Sequence, residues 1–203
     1  MSLDNFRTDS NSSNSIQFTD HQNSVLNGTV LGDASITMNG ANAYYQMTNE
    51  HKEYLEYIMS VMPDNMFSEK GLTRDDRGDR VYWKLYSRNF STLTDKMSVW
   101  YDCGNKVLPD GISIYSTTLL HWYICDGHLE KNSYPTITAR WADEKSIHEA
   151  RDAITELVGG CTVSPHDRGG DTEYVLYIPT EFRSQFFDVI GDCPAQAYDY
   201  KWR

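Results

Sequence analysis

Two short stretches restrict what this chain can fold into more than any other feature: Leu26-Asn-Gly-Thr-Val-Leu-Gly-Asp33 and Leu119-Leu-His-Trp-Tyr-Ile-Cys-Asp126. Each is a mostly apolar run that ends in a small residue followed by an aspartate, and the two leucines and the two aspartates both lie 93 positions apart. A carboxylate at a helix C-terminus faces the unfavourable end of the helix dipole, so it needs a reason to be there, such as a bound cation. The repetition predicts a duplicated half-domain whose two helices pack together and set Asp33 beside Asp126.

The local signals agree. Thr19 is a good N-cap with Gln22 three residues on, and Gly32 is a natural stop, which predicts a helix from Asp20 to Gly32. Gly28 and Gly32 share one face of it and would let another backbone approach. Strands are expected over Ser35–Met38 and Ala43–Thr48, around the Asn39-Gly40 turn, followed by a helix over Glu50–Met62 that Pro63 closes. A second hairpin, Met66–Thr73 with Arg80–Tyr86, would flank a charged turn over Arg74–Asp79, before a helix from Asn89 to Tyr101. The second motif helix begins near Ser116. The order then returns: strands over His128–Lys131 and Tyr134–Trp141, a helix over Asp143–Leu157, a hairpin from Gly160–Pro165 to Thr172–Ile178, and a helix over Thr180–Ile190. Tyr82 to Tyr174 and Phe90 to Phe182 both span 92 positions, so the repeat extends well beyond the motifs. The expected fold is α+β: two pseudo-symmetric αββαββα halves, each carrying an antiparallel sheet.

Charge complicates the choice of partner. The formal charge of −11 argues at first against nucleic acid, whose phosphates call for Lys and Arg. It is equally consistent with an acidic surface suited to a salty cytoplasm that hides a basic groove in the average; aspartates outnumber glutamates 19 to 10, which fits a halophilic host. Cys103, Cys125, Cys161 and Cys193 form no CxxC pair and the histidines no HxxxH pair, so a zinc cluster is not expected. No apolar run approaches a membrane span and no signal-peptide core is present, so a cytoplasmic protein, or an organellar one in a eukaryotic host, is the expectation.

With the motifs in register, the chain resembles the LAGLIDADG homing endonucleases of the single-chain, two-motif kind. Leu26, Gly28, Gly32 and Asp33 match the first motif, and Leu119 to Gly127 resembles a Trp-Tyr-x-x-Asp-Gly variant of the second. Trp100 to Pro109 and Tyr200-Lys201-Trp202 resemble the ends of family half-domains. The corresponding division is a flexible lead-in at 1–18, a first half at 19–109 and a second at 110–203.

The resemblance implies saddle-shaped sheets and a Mg²⁺-dependent (or other divalent-cation) endonuclease that works as a pseudo-symmetric monomer, cuts both strands of a specific duplex and serves intron homing. Asp33 and Asp126 would hold the metal, aided by the backbone at Gly32 and Cys125, with Lys106 and Lys201 as one catalytic lysine per half. DNA reading would fall to the hairpins, with Asn42, Tyr44, Gln46, Lys70, Arg74, Arg77, Arg80 and Lys84 in the first half and Lys131, Arg140 and Arg168 in the second. Three features depart from the family pattern: His121 stands where the literal motif has glycine and predicts a wider helix seam, Ile124 replaces an acid, and the chain is acidic overall. The competing reading is a non-cleaving binder on the same scaffold, an intron maturase or regulator; an acidic protein-interaction domain is a third, favoured only by net charge.

Overall fold

The structure is a computed structural model that describes residues 14–203 apart from Asn132. Residues 1–13 of the expected lead-in lie outside the described residues. Residues 14–18 are held in place: Ile16 is buried, its amide donates to Thr92 Oγ1 at 3.2 Å, and the Asn14 side chain donates to the Asn89 carbonyl.

In the first half the order is α1 (Asp20–Leu31), β1 (Ala34–Asn39), β2 (Asn42–Asn49), α2 (Lys52–Val61), β3 (Phe67–Arg77), β4 (Arg80–Ser87) and α3 (Ser91–Trp100). A two-stranded ribbon, β5 (Tyr101–Asp102) and β6 (Asn105–Lys106), leads to α4 (Ser116–Asp126). Then follow β7 (Gly127–Glu130), β8 (Tyr134–Ala139), α5 (Glu144–Val158), β9 (Thr162–Arg168), β10 (Asp171–Tyr177) and α6 (Arg183–Ile190). A 3₁₀ turn over Gln196–Lys201 closes the chain.

The fold is the expected α+β with two antiparallel four-stranded sheets, ordered β1-β2-β4-β3 and β7-β8-β10-β9. Strand alternation decides which face is which. On β2, Ala43, Tyr45, Met47 and Asn49 are buried against the helices, and Asn42, Tyr44, Gln46 and Thr48 form the open face. The core lies between sheets and helices and includes Trp100, Trp122, Tyr54 and Phe186.

Two turns are tighter than the sequence predicts. β3 continues through the charged residues to Arg77, because Thr73, Asp75 and Arg77 find ladder partners in Lys84, Tyr82 and Arg80. Only Gly78 and Asp79 remain to turn, with Gly78 at φ +61°. The β9–β10 hairpin turns likewise on Gly169 and Gly170 alone, both at positive φ. Such two-residue connections need left-handed backbone and so favour glycine.

Candidate metal centre and nucleic-acid interface

Helices α1 and α4 meet through glycine. A Cβ on Gly28 would lie 2.4 Å from the Thr118 carbonyl oxygen and 2.7 Å from His121 Cβ; one on Gly32 would lie 2.2 Å from Cys125 Cβ. Gly32 has φ −100°, so it serves the close approach and not a left-handed cap. This corrects the expectation of a wider seam at His121: the glycine of the facing helix makes room for it. His121 is buried and its Nδ1 is 2.7 Å from Tyr54 Oη, while burial depresses its pKa to about 3 and keeps it neutral.

The seam delivers both motif aspartates to one floor. Asp33 lies one residue past the Gly32 cap of α1, two beyond its last residue, and Asp126 ends α4. Asp33 keeps an edge open to solvent, yet the protein crowded beneath it raises its pKa to about 6, against the pull of Lys201, Lys106 and a hydrogen bond from Asn49. Asp126 is half-buried and rises further, to about 7, through burial and then repulsion from Asp33, with Lys106, Lys201 and Arg140 opposing. The smaller shift at the more open group is the order that solvent access predicts. Two neighbouring carboxylates, each costly to ionise where it sits, are suited to a cation.

The lysines secure the helix ends. The last carbonyls of a helix have no partner within it. Lys106 Nζ donates to the carbonyls of Gly32 and Ala34, both at 3.1 Å, and Lys201 Nζ donates to that of Ile124 at 2.6 Å. Trp141 Nε1 covers the Leu31 carbonyl at 2.7 Å. Burial lowers the pKa of both lysines, partly offset by Asp33, Asp126 and Cys125. Thus the Gly32 carbonyl, expected as a metal ligand, is engaged by Lys106 here. The Cys125 thiol is pushed well above its usual pKa by burial and then by both aspartates.

Among the described residues no group of three or more His, Cys, Asp and Glu side chains converges. The donor set on the floor is two carboxylates and nearby backbone oxygens, which fits a hard divalent cation whose remaining ligands are water and phosphate oxygens.

Asn49 and Tyr198 also belong to this site, although no sequence signal marks them. Asn49 is buried at the end of β2; its Nδ2 is 3.5 Å from Asp33 Oδ2, and its Oδ1 accepts from the His51 amide at 2.8 Å and from Tyr198 Oη at 2.7 Å. Tyr198 sits on the closing 3₁₀ turn, whose Gln196 and Ala197 amides donate to the Glu53 carboxylate of α2. The C-terminal turn is therefore fastened to the first half and supports the first half's acid.

Strand register sorts the expected DNA readers. Asn42, Tyr44 and Gln46 lie on the open face of the first sheet, where Gln46 Nε2 also donates to Ser35 Oγ at 3.0 Å. Lys84, Arg80 and Arg77 share that face, since Lys84 pairs with Thr48 and Arg77 with Arg80. Arg74 does not: it pairs with Trp83, one position out of phase, and lies on the opposite face. Lys70 is exposed in the irregular stretch between Phe67 and Leu72, and Lys131 occupies the β7–β8 turn at φ +48°. Arg168 lies on the open face of the second sheet, and Arg140 follows the end of β8.

Most of these cations have an internal acid. Asp75 takes both Arg77 (2.7 Å) and Lys84 (3.0 Å), Glu50 lies 3.8 Å from Arg80, and Glu173 takes both Arg140 (3.0 Å) and Arg168 (2.5 Å). Each open face also carries a tyrosine pair in nearly the same pose: Tyr44–Tyr86 and Tyr134–Tyr177, each with ring centroids 6.1 Å apart and planes tilted by 44° and 46°.

Residues 23–186 match the family model described as the LAGLIDADG DNA endonuclease family. No curated protein sequence matches. Among solved structures, the homing endonuclease I-WcaI bound to its DNA recognition sequence superposes with a TM-score of 0.75 at 15% identity, over 93% of this chain and 88% of that one. A variant of I-DmoI in complex with its target DNA in the presence of magnesium gives 0.55 at 13% identity, over 84% and 95%. Full-length DUF199/WhiA from Thermatoga maritima gives 0.57 at 12% identity, over 87% of this chain and 57% of that one. The chain belongs to the LAGLIDADG DNA endonuclease family.

Proposed function

We propose that this LAGLIDADG family member is a sequence-specific double-strand DNA endonuclease, acting as a monomer of two halves divided near residues 109 and 110 and using Mg²⁺ or a similar divalent cation. The observation that carries the reading is the shared floor. Asp33 and Asp126 arrive there from two helix ends, accompanied by the half-buried Lys106 and the buried Lys201.

The residues divide the work. The two carboxylates would hold the cation, which when bound supplies a Lewis acid and lowers the pKa of coordinated water. Lys106 and Lys201 place positive charge beside the acids, where a phosphate gains charge in hydrolysis. A β-ribbon can enter a major groove, and Tyr44, Gln46 and their neighbours on the open faces would be the residues presented to it. That structures of similar fold were solved with DNA and magnesium, manganese or calcium supports the cation requirement.

The test is cleavage of a randomised duplex library with Mg²⁺, by wild type and by Asp33→Asn and Asp126→Asn. Site-restricted cutting that both substitutions abolish supports the reading; a folded wild type that binds DNA or RNA and never cuts overturns it. One observation favours a non-cleaving binder or maturase as the second reading: the acids that neutralise Arg77, Lys84, Arg140 and Arg168 reduce the pull on duplex phosphates. The same pairing lowers the salt sensitivity of binding, because fewer counterions are released, and so suits a salt-rich cytoplasm.

A further inference from the structure

Glu173 is a buried carboxylate on a face where the proposed function puts DNA. It is 4% exposed, although its strand neighbours Asp171 and Thr172 are open to solvent. Arg140 and Arg168 cover it. Each guanidinium uses its Nε, Arg140 on one carboxylate oxygen at 3.0 Å and Arg168 on the other at 2.5 Å, while 74% and 68% of their side-chain surfaces remain exposed.

As a device for stability this is a poor choice. A carboxylate removed from water is costly, and apolar replacements of buried ion pairs are often neutral or stabilising. Its effect on the arginines is different in kind. An exposed arginine samples many rotamers and loses that freedom on binding. Each guanidinium makes its shortest contact with the acid through Nε, so its two terminal nitrogens remain to serve as a fork. Arginine forks address the O6 and N7 of guanine. Glu173 is too buried to read a base itself. Its charge also disfavours simple phosphate clamping by the same two arginines. The counterpart in the first sheet is looser: Asp75 is 25% exposed and shares itself between Arg77 and Lys84, whose ammonium is a point charge without a fork.

We propose that Glu173 is a specificity-determining positioning residue, which holds Arg140 and Arg168 as two preset forks that read two guanines in the second half's part of the DNA site. The proposal rests on the DNA-binding reading above.

The experiment is selection of bound duplexes from a randomised library in Ca²⁺, with full-length wild type, Glu173→Gln, Arg140→Ala and Arg168→Ala. Wild type is expected to enrich a site with two guanines on one side of its centre. Arg140→Ala should erase one of these preferences and Arg168→Ala the other. Glu173→Gln, which keeps the shape and can accept from only one arginine, should relax guanine preference about fivefold or more at one or both positions. Preferences elsewhere in the site should be unchanged, which a merely structural role would not predict. If Glu173→Gln keeps both preferences, or weakens the whole site evenly, the proposal is overturned and the DNA-binding reading stands. If wild type enriches no duplex at all, the functional reading falls and takes this proposal with it.

Discussion

The two halves share a backbone plan and differ in the chemistry placed on it. At the seam, α1 and its cap contribute absence, Gly28 and Gly32, and α4 contributes bulk, His121 and Cys125, where an exact two-fold pair would share the space equally. On the floor, Asp33 is braced by Asn49 and, through it, by Tyr198 of the distant C-terminal turn, while Asp126 is the more buried acid and has Arg140 among its nearby cations. On the open faces the acid that organises the cations sits on the outer strand in the first half (Asp75) and on the inner strand in the second (Glu173). A duplicated fold thus keeps what two-fold packing needs and lets each half's side chains diverge. In the proposed monomeric endonuclease, that divergence would serve recognition of an asymmetric site.

The difference can be broken at several points. The largest effect is expected at the acids. Asp33→Asn and Asp126→Asn should each abolish double-strand cleavage, and mapping any residual product as a nick on one strand shows whether the halves act separately. Equal residual cutting of both strands in both variants would show that neither acid serves its own strand.

Next comes the seam. Gly32→Ala drives a methyl group into Cys125 Cβ and should cost about 3 kcal/mol or more by chemical denaturation. Pairing it with Cys125→Gly, which moves the glycine to the other helix, should restore part of that. A double variant no better than the single one would mean that the helices cannot exchange roles.

The pH response is smaller and separates the acids. Both folded pKa values lie above the usual carboxylate value of 3.8, at about 6 and 7, so the folded state holds protons that the unfolded state releases. Without divalent cation, stability should therefore fall as pH rises from about 4 to 7, and metal affinity should rise over the upper part of that window. Asp126→Asn should raise metal-free stability at pH 7.5 by about 1–3 kcal/mol, and Asp33→Asn by less. Thermal unfolding with and without Mg²⁺ checks both; equal gains would contradict the difference in burial.

The smallest effect is expected at Tyr198→Phe, which removes the hydroxyl from Asn49 at a cost of about 1 kcal/mol. It should slow the strand served by Asp33 more than the other. Equal slowing in a nicking assay would mean that the C-terminal turn supports the floor as a whole.

Much of this site could be read in the sequence because its signals are local. An apolar run, a capping box and a terminal aspartate lie within one helix, and the 93-residue repeat shows that the helix occurs twice. Lys106 and Lys201 were marked by the resemblance of Trp100–Pro109 and Tyr200–Trp202 to the ends of family half-domains, and both do reach the helix ends. Asn49, Tyr198 and Glu173 carried no such mark. Asn49 and Tyr198 are 149 residues apart, and neither is unusual where it stands. Arg74 shows the same limit on a smaller scale: its charge suggested a reader, but one step of register places it on the other face.

By itself, then, the sequence determined the element order, the duplication and the pair of acids that end the motif helices, because helix and strand periodicities and caps are set by residues a few positions apart. Only the tertiary structure decided which half supports which acid, which cations carry an acidic partner and which side chains share an open face. Those depend on strand register and on contacts between distant segments, where a shift of one residue turns a side chain from one side of the sheet to the other.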